Sequence, residues 1–242
     1  MAIFILVGNT NLKAEVTPGF PVSLPLADFD RALGSLLPSP CRECVVIAGV
    51  NPPAEDALRR SLERAGVTDG VFAGRDFPTG VELDVEKPDA VGVDRILNVR
   101  AAFARVRTAC AAVDFGTAVS ISVADGKGRF VGGAILPGVA LSLDSLARGT
   151  ALLPRIAPGA PSSPLGRDTV AAMTSGCVFG AAGAVKEIIS RMASAMQCDL
   201  RVFSTGGDAA LMEALLPAGW SFVPALTLEG LRLAYEQWKS TR

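Results

Sequence analysis

Hydrophobic positions fall along the chain in short apolar runs that alternate with stretches of three- and four-residue periodicity. Ala2–Val7 is uniformly apolar, breaks at Gly8-Asn9-Thr10 and resumes as Leu12–Val16, which predicts two strands joined by a tight turn. Leu26, Phe29, Leu33 and Leu36 then share a helical face. Val45–Val50 predicts a buried strand, and Asn51-Pro52-Pro53 opens a helix lined by Leu58, Leu62 and Ala65 that Gly66 stops. A short strand is expected near Val71–Ala73. Ile96, Val99, Phe103 and Val106 mark the next helix, with Gly92-Val93-Asp94-Arg95 at its mouth.

The second half begins in the same way. Ala109–Phe115 and Val119–Ala124 predict two strands around a Gly116-Thr117-Ala118 turn, and Asp125-Gly126-Lys127-Gly128 turns the chain into Arg129–Val131. A long helical face runs Val170, Met173, Cys177, Ala181, Ala184, Ile188, Met192. Val202–Ser204 is a strand ending in Thr205-Gly206-Gly207, and a closing helix carries Leu228, Leu231, Tyr235 and Trp238. Strand, glycine turn, strand thus occurs near residue 8 and again near residue 116. Two related halves meeting near residue 105 are expected, domains 1–105 and 106–242.

Composition narrows the chemistry. The 242 residues carry 23 Lys plus Arg against 24 Asp plus Glu, so no global basic field draws the chain to nucleic acid or an anionic membrane. No histidine is present, which excludes His-based triads, bases and metal ligands and leaves carboxylates, Lys, Cys or Tyr235 for acid–base work. No run of apolar residues is long enough for a membrane span, and Met1–Ile5 lacks signal-peptide features, so a cytoplasmic location is expected. Five cysteines read as free thiols, with Cys41 and Cys44 either a redox pair or loop and strand-edge thiols.

Glycine turns between strands expose consecutive backbone N–H groups and so can cradle phosphate oxygens. Three occur here, at Gly8-Asn9-Thr10, Gly116-Thr117-Ala118 and Thr205-Gly206-Gly207. Neither a Walker P-loop nor a G-x-G-x-x-G fingerprint is present. Asp94 has two readings at this point, a helix cap or a working carboxylate.

The ordered series Gly8-Asn9-Thr10 with Lys13, Pro88, Gly92-Val93-Asp94-Arg95, Val113–Ala118, Gly132–Gly138, Thr150–Pro154, Thr169 before Ser175-Gly176, and Thr205-Gly206-Gly207 resembles the type III pantothenate kinases over nearly the whole chain. The resemblance implies an α/β fold of duplicated ribonuclease-H-like, actin-like ATPase domains with a cleft between them. It implies ATP-dependent phosphorylation of pantothenate to 4'-phosphopantothenate, the first step of coenzyme A biosynthesis. It places ATP at Gly8, Asn9, Thr10, Lys13, Gly116, Thr117, Ala118, Gly206 and Gly207. It places pantothenate at Gly92, Val93, Asp94, Arg95 and Thr169, with Asp94 the catalytic base, and a potassium or ammonium ion at Asp114. Mg²⁺ and a homodimer are further implications. In-line phosphoryl transfer needs these parts: positioned charge and a carboxylate for the hydroxyl proton.

The chain departs from the family pattern at three positions. Leu6 stands where the first phosphate motif has Asp, Ser122 where many members have a second Asp after the Gly-Thr-Ala strand, and Val85 where many have Tyr. The alternative reading is a catalytically impaired nucleotide- or pantothenate-binding paralogue with a regulatory role.

Overall fold

The computed structural model describes residues 2–15, 21–26, 44–67 and 69–242. The helix expected over Leu26–Leu36, beyond Leu26 itself, and the position of Cys41 lie outside the described residues. The chain divides into two compact units, one of residues 1–105, 128–130 and 225–242, the other of 106–127 and 131–224.

The first unit is built on β1 (Ala2–Val7), β2 (Asn11–Glu15), β3 (Pro21–Pro25), β4 (Cys44–Gly49) and β5 (Gly70–Phe72). They form one sheet in the order β3-β2-β1-β4-β5. β1 runs antiparallel to β2 and parallel to β4. Both faces of this sheet are covered, which is why β1 and β4 read as unbroken apolar runs rather than alternating ones. The strand period of two still sorts them. Ile3, Ile5 and Val7 join Val45, Ile47, Leu58 and Leu62 under α1 (Pro52–Arg64), while Phe4 and Leu6 join Val46 and Ala48 on the opposite face. Asn51 caps α1 by accepting from the Ala54 N–H at 3.2 Å, and Gly66 leaves the helix at φ +75.

That opposite face is covered by α2 (Val93–Val106) and α6 (Leu226–Ser240). Leu97, Leu228, Leu231 and Tyr235 complete the cluster with Phe4 and Leu6. Tyr235 meets Phe4 and Phe77 edge-on, each at 6.0 Å between centroids. α6 is tied to α2 along its length. The Thr227 hydroxyl donates to Asn98 Oδ1 at 2.8 Å in the interior, Arg105 pairs with Glu229, and Arg100 donates to the Leu233 carbonyl. A side chain at Gly230 would strike the backbone of Leu97. The closing helix, expected in the second half, therefore lies with the first unit. Its apolar stripe predicts a buried face, and nothing local in it specifies which sheet that face covers.

The second unit carries β6 (Cys110–Phe115), β7 (Ala118–Ala124), β8 (Phe130–Pro137), β9 (Arg201–Thr205) and β10 (Ser221–Phe222), in the order β10-β9-β6-β7-β8. β6 runs antiparallel to β7 and parallel to β9. Substituting β6 for β1, β7 for β2, β8 for β3, β9 for β4 and β10 for β5 reproduces the first sheet strand for strand. α3 (Val139–Gly149) and α4 (Thr169–Met196) pack on one face of it, burying Val113, Phe115, Ile121, Leu143, Val178 and Val185, each side chain of this size contributing roughly 1.5–3 kcal/mol. By length and composition α4 could cross a membrane. It instead turns Met173, Val178, Ala182, Val185 and Ile189 into this core, as the central helix of a globular unit does. A short α5 (Ala209–Met212) follows β9.

Candidate active site

In the first unit the chain leaves β1 through Gly8. The Gly8 N–H donates to the Asn11 carbonyl at 2.9 Å, and a Cβ at Gly8 would come 2.9 Å from that same oxygen, so the turn is closed on a residue without a side chain. Asn9 and Thr10 are exposed at its tip, and the Thr10 carbonyl accepts from Leu26 N–H at 2.9 Å. Lys13 is half-buried on β2, directly opposite Leu6.

Gly92, Val93, Asp94 and Arg95 lie beside this turn. Val50, the residue after β4, donates its N–H to the Val7 carbonyl at 3.1 Å, and its Cγ1 would lie 3.6 Å from a Cβ at Gly92. Asp94 sits half-buried in the first turn of α2, where uncompensated N–H groups favour a carboxylate. Its Oδ1 accepts from the Arg95 N–H at 2.8 Å, and a Cβ at Gly92 would approach it to 2.6 Å. The local capping expected of an acidic residue at a helix mouth is thus present, and the same contacts fix the carboxylate in one place. Arg95 is half-buried with its guanidinium 5.3 Å from the Phe130 ring centroid. Burial pushes its pKa down and the neighbouring Asp94 opposes that.

In the second unit the β6–β7 turn and the segment after β9 meet at Asp114, and the head of α3 closes on that turn. Gly116, Thr117 and Ala118 form the β6–β7 turn, closed by the Gly116 N–H on the Ala118 carbonyl at 3.2 Å. Gly138, at the head of α3, donates to the Thr117 carbonyl at 3.1 Å, and any side chain there would collide with the turn. Gly206 follows β9 at φ +105, where a Cβ would meet the Phe115 carbonyl and come within 2.5 Å of Asp114 Oδ1. Both its conformation and its surroundings require glycine. Asp208 closes the ring by donating its N–H to the Phe115 carbonyl at 2.9 Å, and burial raises its carboxyl pKa. Gly207 is exposed beside it. Thr169 is the exposed first residue of α4, next to Asp168, which caps the helix through Ala171 N–H at 2.8 Å.

Within the first unit Val50 links the end of β1 to Gly92, and within the second the structure brings Asp114, Gly116–Ala118 and Gly206 together. It adds Gly138 and Asp208, which sequence reasoning had not placed at the site. The signal for Gly138 was its place in the Gly132–Gly138 motif, from which no site role was drawn. Leu6 is 8 % exposed inside the apolar cluster under α2 and α6. Ser122 is buried on β7, opposite Ala112, and Val85 is half-buried in a loop.

Among the described residues there is no cluster of three His, Cys, Asp or Glu side chains able to hold a metal ion. Mg²⁺ keeps several waters and is satisfied by one or two carboxylates plus substrate phosphates, so these residues fit an ion carried mainly by a nucleotide, not a protein cage.

Two sheets of identical strand order, each with a glycine directly after its central strand, define a duplicated actin-like fold. An archaeal actin homologue aligns over 98% of this chain and 99% of its own, with a TM-score of 0.53 at 11% identity. A conserved Baf family transcriptional activator from Campylobacter jejuni aligns over 98% and 99% with a TM-score of 0.68 at 16% identity. Sequence comparison is narrower. The type III pantothenate kinase family model matches residues 3–191, and a type III pantothenate kinase from Anaeromyxobacter sp. (strain K) is 39% identical over 252 residues, covering 98% of this chain and 99% of that one. The chain belongs to the type III pantothenate kinase family.

Proposed function

We propose that this chain transfers the terminal phosphoryl group of ATP to the primary hydroxyl of pantothenate, giving 4'-phosphopantothenate and ADP, with Asp94 as the base. The observation that supports this reading is the meeting of the Gly116–Ala118 turn and Gly206 at the half-exposed Asp114 carboxylate, in a chain of the type III pantothenate kinase family. The ATP-binding residues of this reading are Gly8, Asn9, Thr10, Lys13, Gly116, Thr117, Ala118, Gly206 and Gly207. Bound with ATP, Mg²⁺ neutralises phosphate charge.

Asp94, held by the Arg95 N–H, accepts the hydroxyl proton as the oxygen attacks in line. Arg95 offers a planar fork to the pantothenate carboxylate, and its partial burial strengthens that pairing. Gly92 and Val93 admit the substrate backbone, and Thr169 contributes from the head of α4. Asp114 holds a potassium or ammonium ion beside the phosphates. The family expectation of a homodimer in the cytoplasm is part of the same proposal.

The test is a coupled ADP-release assay with and without pantothenate, in magnesium and potassium. Release that depends on pantothenate supports the kinase. Release that ignores pantothenate points to hydrolysis, and silence with measurable ligand binding points to a regulatory paralogue.

A further inference from the structure

A cavity of about 290 Å³ opens in the first unit between the C-terminal half of α1 and the edge strand β5, and none of its lining residues has a role above. Its floor is apolar, formed by Leu62, Val67 and Gly70 with the buried ring of Phe72. Two guanidinium groups stand over that ring, Arg59 at 5.2 Å and Arg75 at 4.2 Å from its centroid. Stacking uses the flat face of a guanidinium and leaves its N–H edge to find oxygen elsewhere.

The protein supplies little oxygen to those edges. Arg59 Nη2 is 4.0 Å from Asp56 Oδ1 and Arg75 Nε is 3.8 Å from Asp76 Oδ1, both beyond hydrogen-bond reach. Asp76 spends its other oxygen on the Phe72 N–H at 2.8 Å. Among the described residues Arg59 Nε is buried with no hydrogen-bond partner, so only the outer Nη edge of this guanidinium is open to an occupant. Both arginines also act on the Glu55 carboxyl, drawing its pKa down against a larger upward push from burial. Glu55, Asp56, Glu63 and Asp76 together outnumber the two arginines in formal charge, so contact geometry and not long-range attraction must select the occupant.

We propose that this cavity binds the phosphate group of a small phosphomonoester, with Arg59 and Arg75 as its two forks and the organic part of the ester lying on Leu62 and Val67. A tetrahedral phosphate points oxygens in enough directions to engage two guanidinium edges at once. A planar carboxylate keeps its lone pairs in one plane and has one oxygen fewer to share between two forks. The site shares no residue with the ATP and pantothenate positions, so either assignment stands or falls without the other.

The experiment is isothermal titration of the full chain saturated with a non-hydrolysable ATP analogue, which fills the nucleotide's own phosphate positions. Phenyl phosphate is the probe, with inorganic phosphate and benzoate alongside. One saturable site is expected, tightest for phenyl phosphate, weaker for inorganic phosphate and weakest for benzoate. Arg59→Gln and Arg75→Gln should each weaken phenyl phosphate binding by about ten- to hundredfold, with unchanged melting profiles and unchanged turnover of ATP and pantothenate. Arg75→Lys, which keeps the charge but loses the fork, should fall between. No saturable binding by the native protein, binding that survives the substitutions, or benzoate binding as tightly as phenyl phosphate would each overturn the proposal.

Discussion

The ends of β1 and β6 are the same backbone with different chemistry. Leu6 lies opposite Lys13 on one side and Ala48 on the other, and Asp114 occupies the same place in its sheet, opposite Ser120 and Thr205. One residue later, the Val7 carbonyl accepts from Val50 and the Phe115 carbonyl from Asp208. A glycine follows each strand directly, Gly8 and Gly116, and a second glycine sits across from each, Gly49 and Gly206. The side chains then diverge. Leu6 is buried among Phe4, Ala48, Leu97 and Leu231, whereas Asp114 is half-exposed against Gly206. At Gly49 the carboxyl that would meet a Cβ comes from Glu55 on a helix, not from the strand. The two halves share the turns and differ at the strand end, a carboxylate in the second and an apolar side chain in the first. Under the proposed function they divide the work, the second offering an ionic cradle and the first the Asp94 carboxylate.

The largest effect is expected in the first half. Asp94→Asn should lower turnover by roughly 10²–10⁴-fold, the range for losing a general base, while the melt stays cooperative. A variant with native turnover would move the base elsewhere and break the division of labour.

Next comes Leu6→Asp, which makes the two strand ends alike. Its carboxylate would enter an apolar cluster with no partner, at a cost of several kcal/mol by the usual figures for an unpaired buried charge. Denaturant unfolding should show that loss, and the magnesium dependence of turnover should not change. Restored magnesium affinity would mean that position 6 reaches the nucleotide after all.

Gly206→Ala tests the cradle. Positive φ alone costs about 1–3 kcal/mol for a residue with a Cβ, and the contact with the Phe115 carbonyl adds to it. ATP affinity should fall together with stability, whereas the counterpart Gly49→Ala meets only the flexible end of Glu55 and should cost less.

Much of this was readable from sequence because it is local. The tight turns, the Asn51-Pro52-Pro53 helix start and the long face of α4 follow from glycine, proline and spacing. Several elements were not, the short α5 and β10 among them. β3 is a short edge strand bounded by Pro21 and Pro25, residues that argue against a strand wherever pairing cannot be seen. β8 extends to Pro137 through Gly132 and Gly133, both at positive φ, so its hydrophobic alternation is broken. α3 was missed altogether, and α6 shows its stripe but not its partner. At the site, the motif residues could be matched one by one. The equivalence of Leu6 and Asp114, and the closure of Gly138 and Gly206 on the second turn, needed strand register.

The smallest expected effect is at Asp208. Burial raises its folded pKa above the unfolded value, so the folded protein binds this proton more tightly and loses stability as pH rises through the interval between the two. Asp208→Asn removes that loss. Its melting temperature should exceed the native one slightly, by a degree or so, at neutral pH, and the two should converge in acid below the ordinary carboxylate range. A difference independent of pH would assign the effect to packing.

The division between the halves is tested most directly by comparing pantothenate-dependent turnover of Asp114→Leu and Leu6→Met in potassium and in sodium. Asp114→Leu copies the first half's residue into the second. The account predicts a fall of about tenfold to a thousandfold, the scale for losing one preorganised electrostatic group, and no remaining preference for potassium. Leu6→Met conserves volume in the apolar cluster and should keep turnover and cation preference near native. Equal losses in both variants, or native turnover and potassium preference in Asp114→Leu, would contradict it.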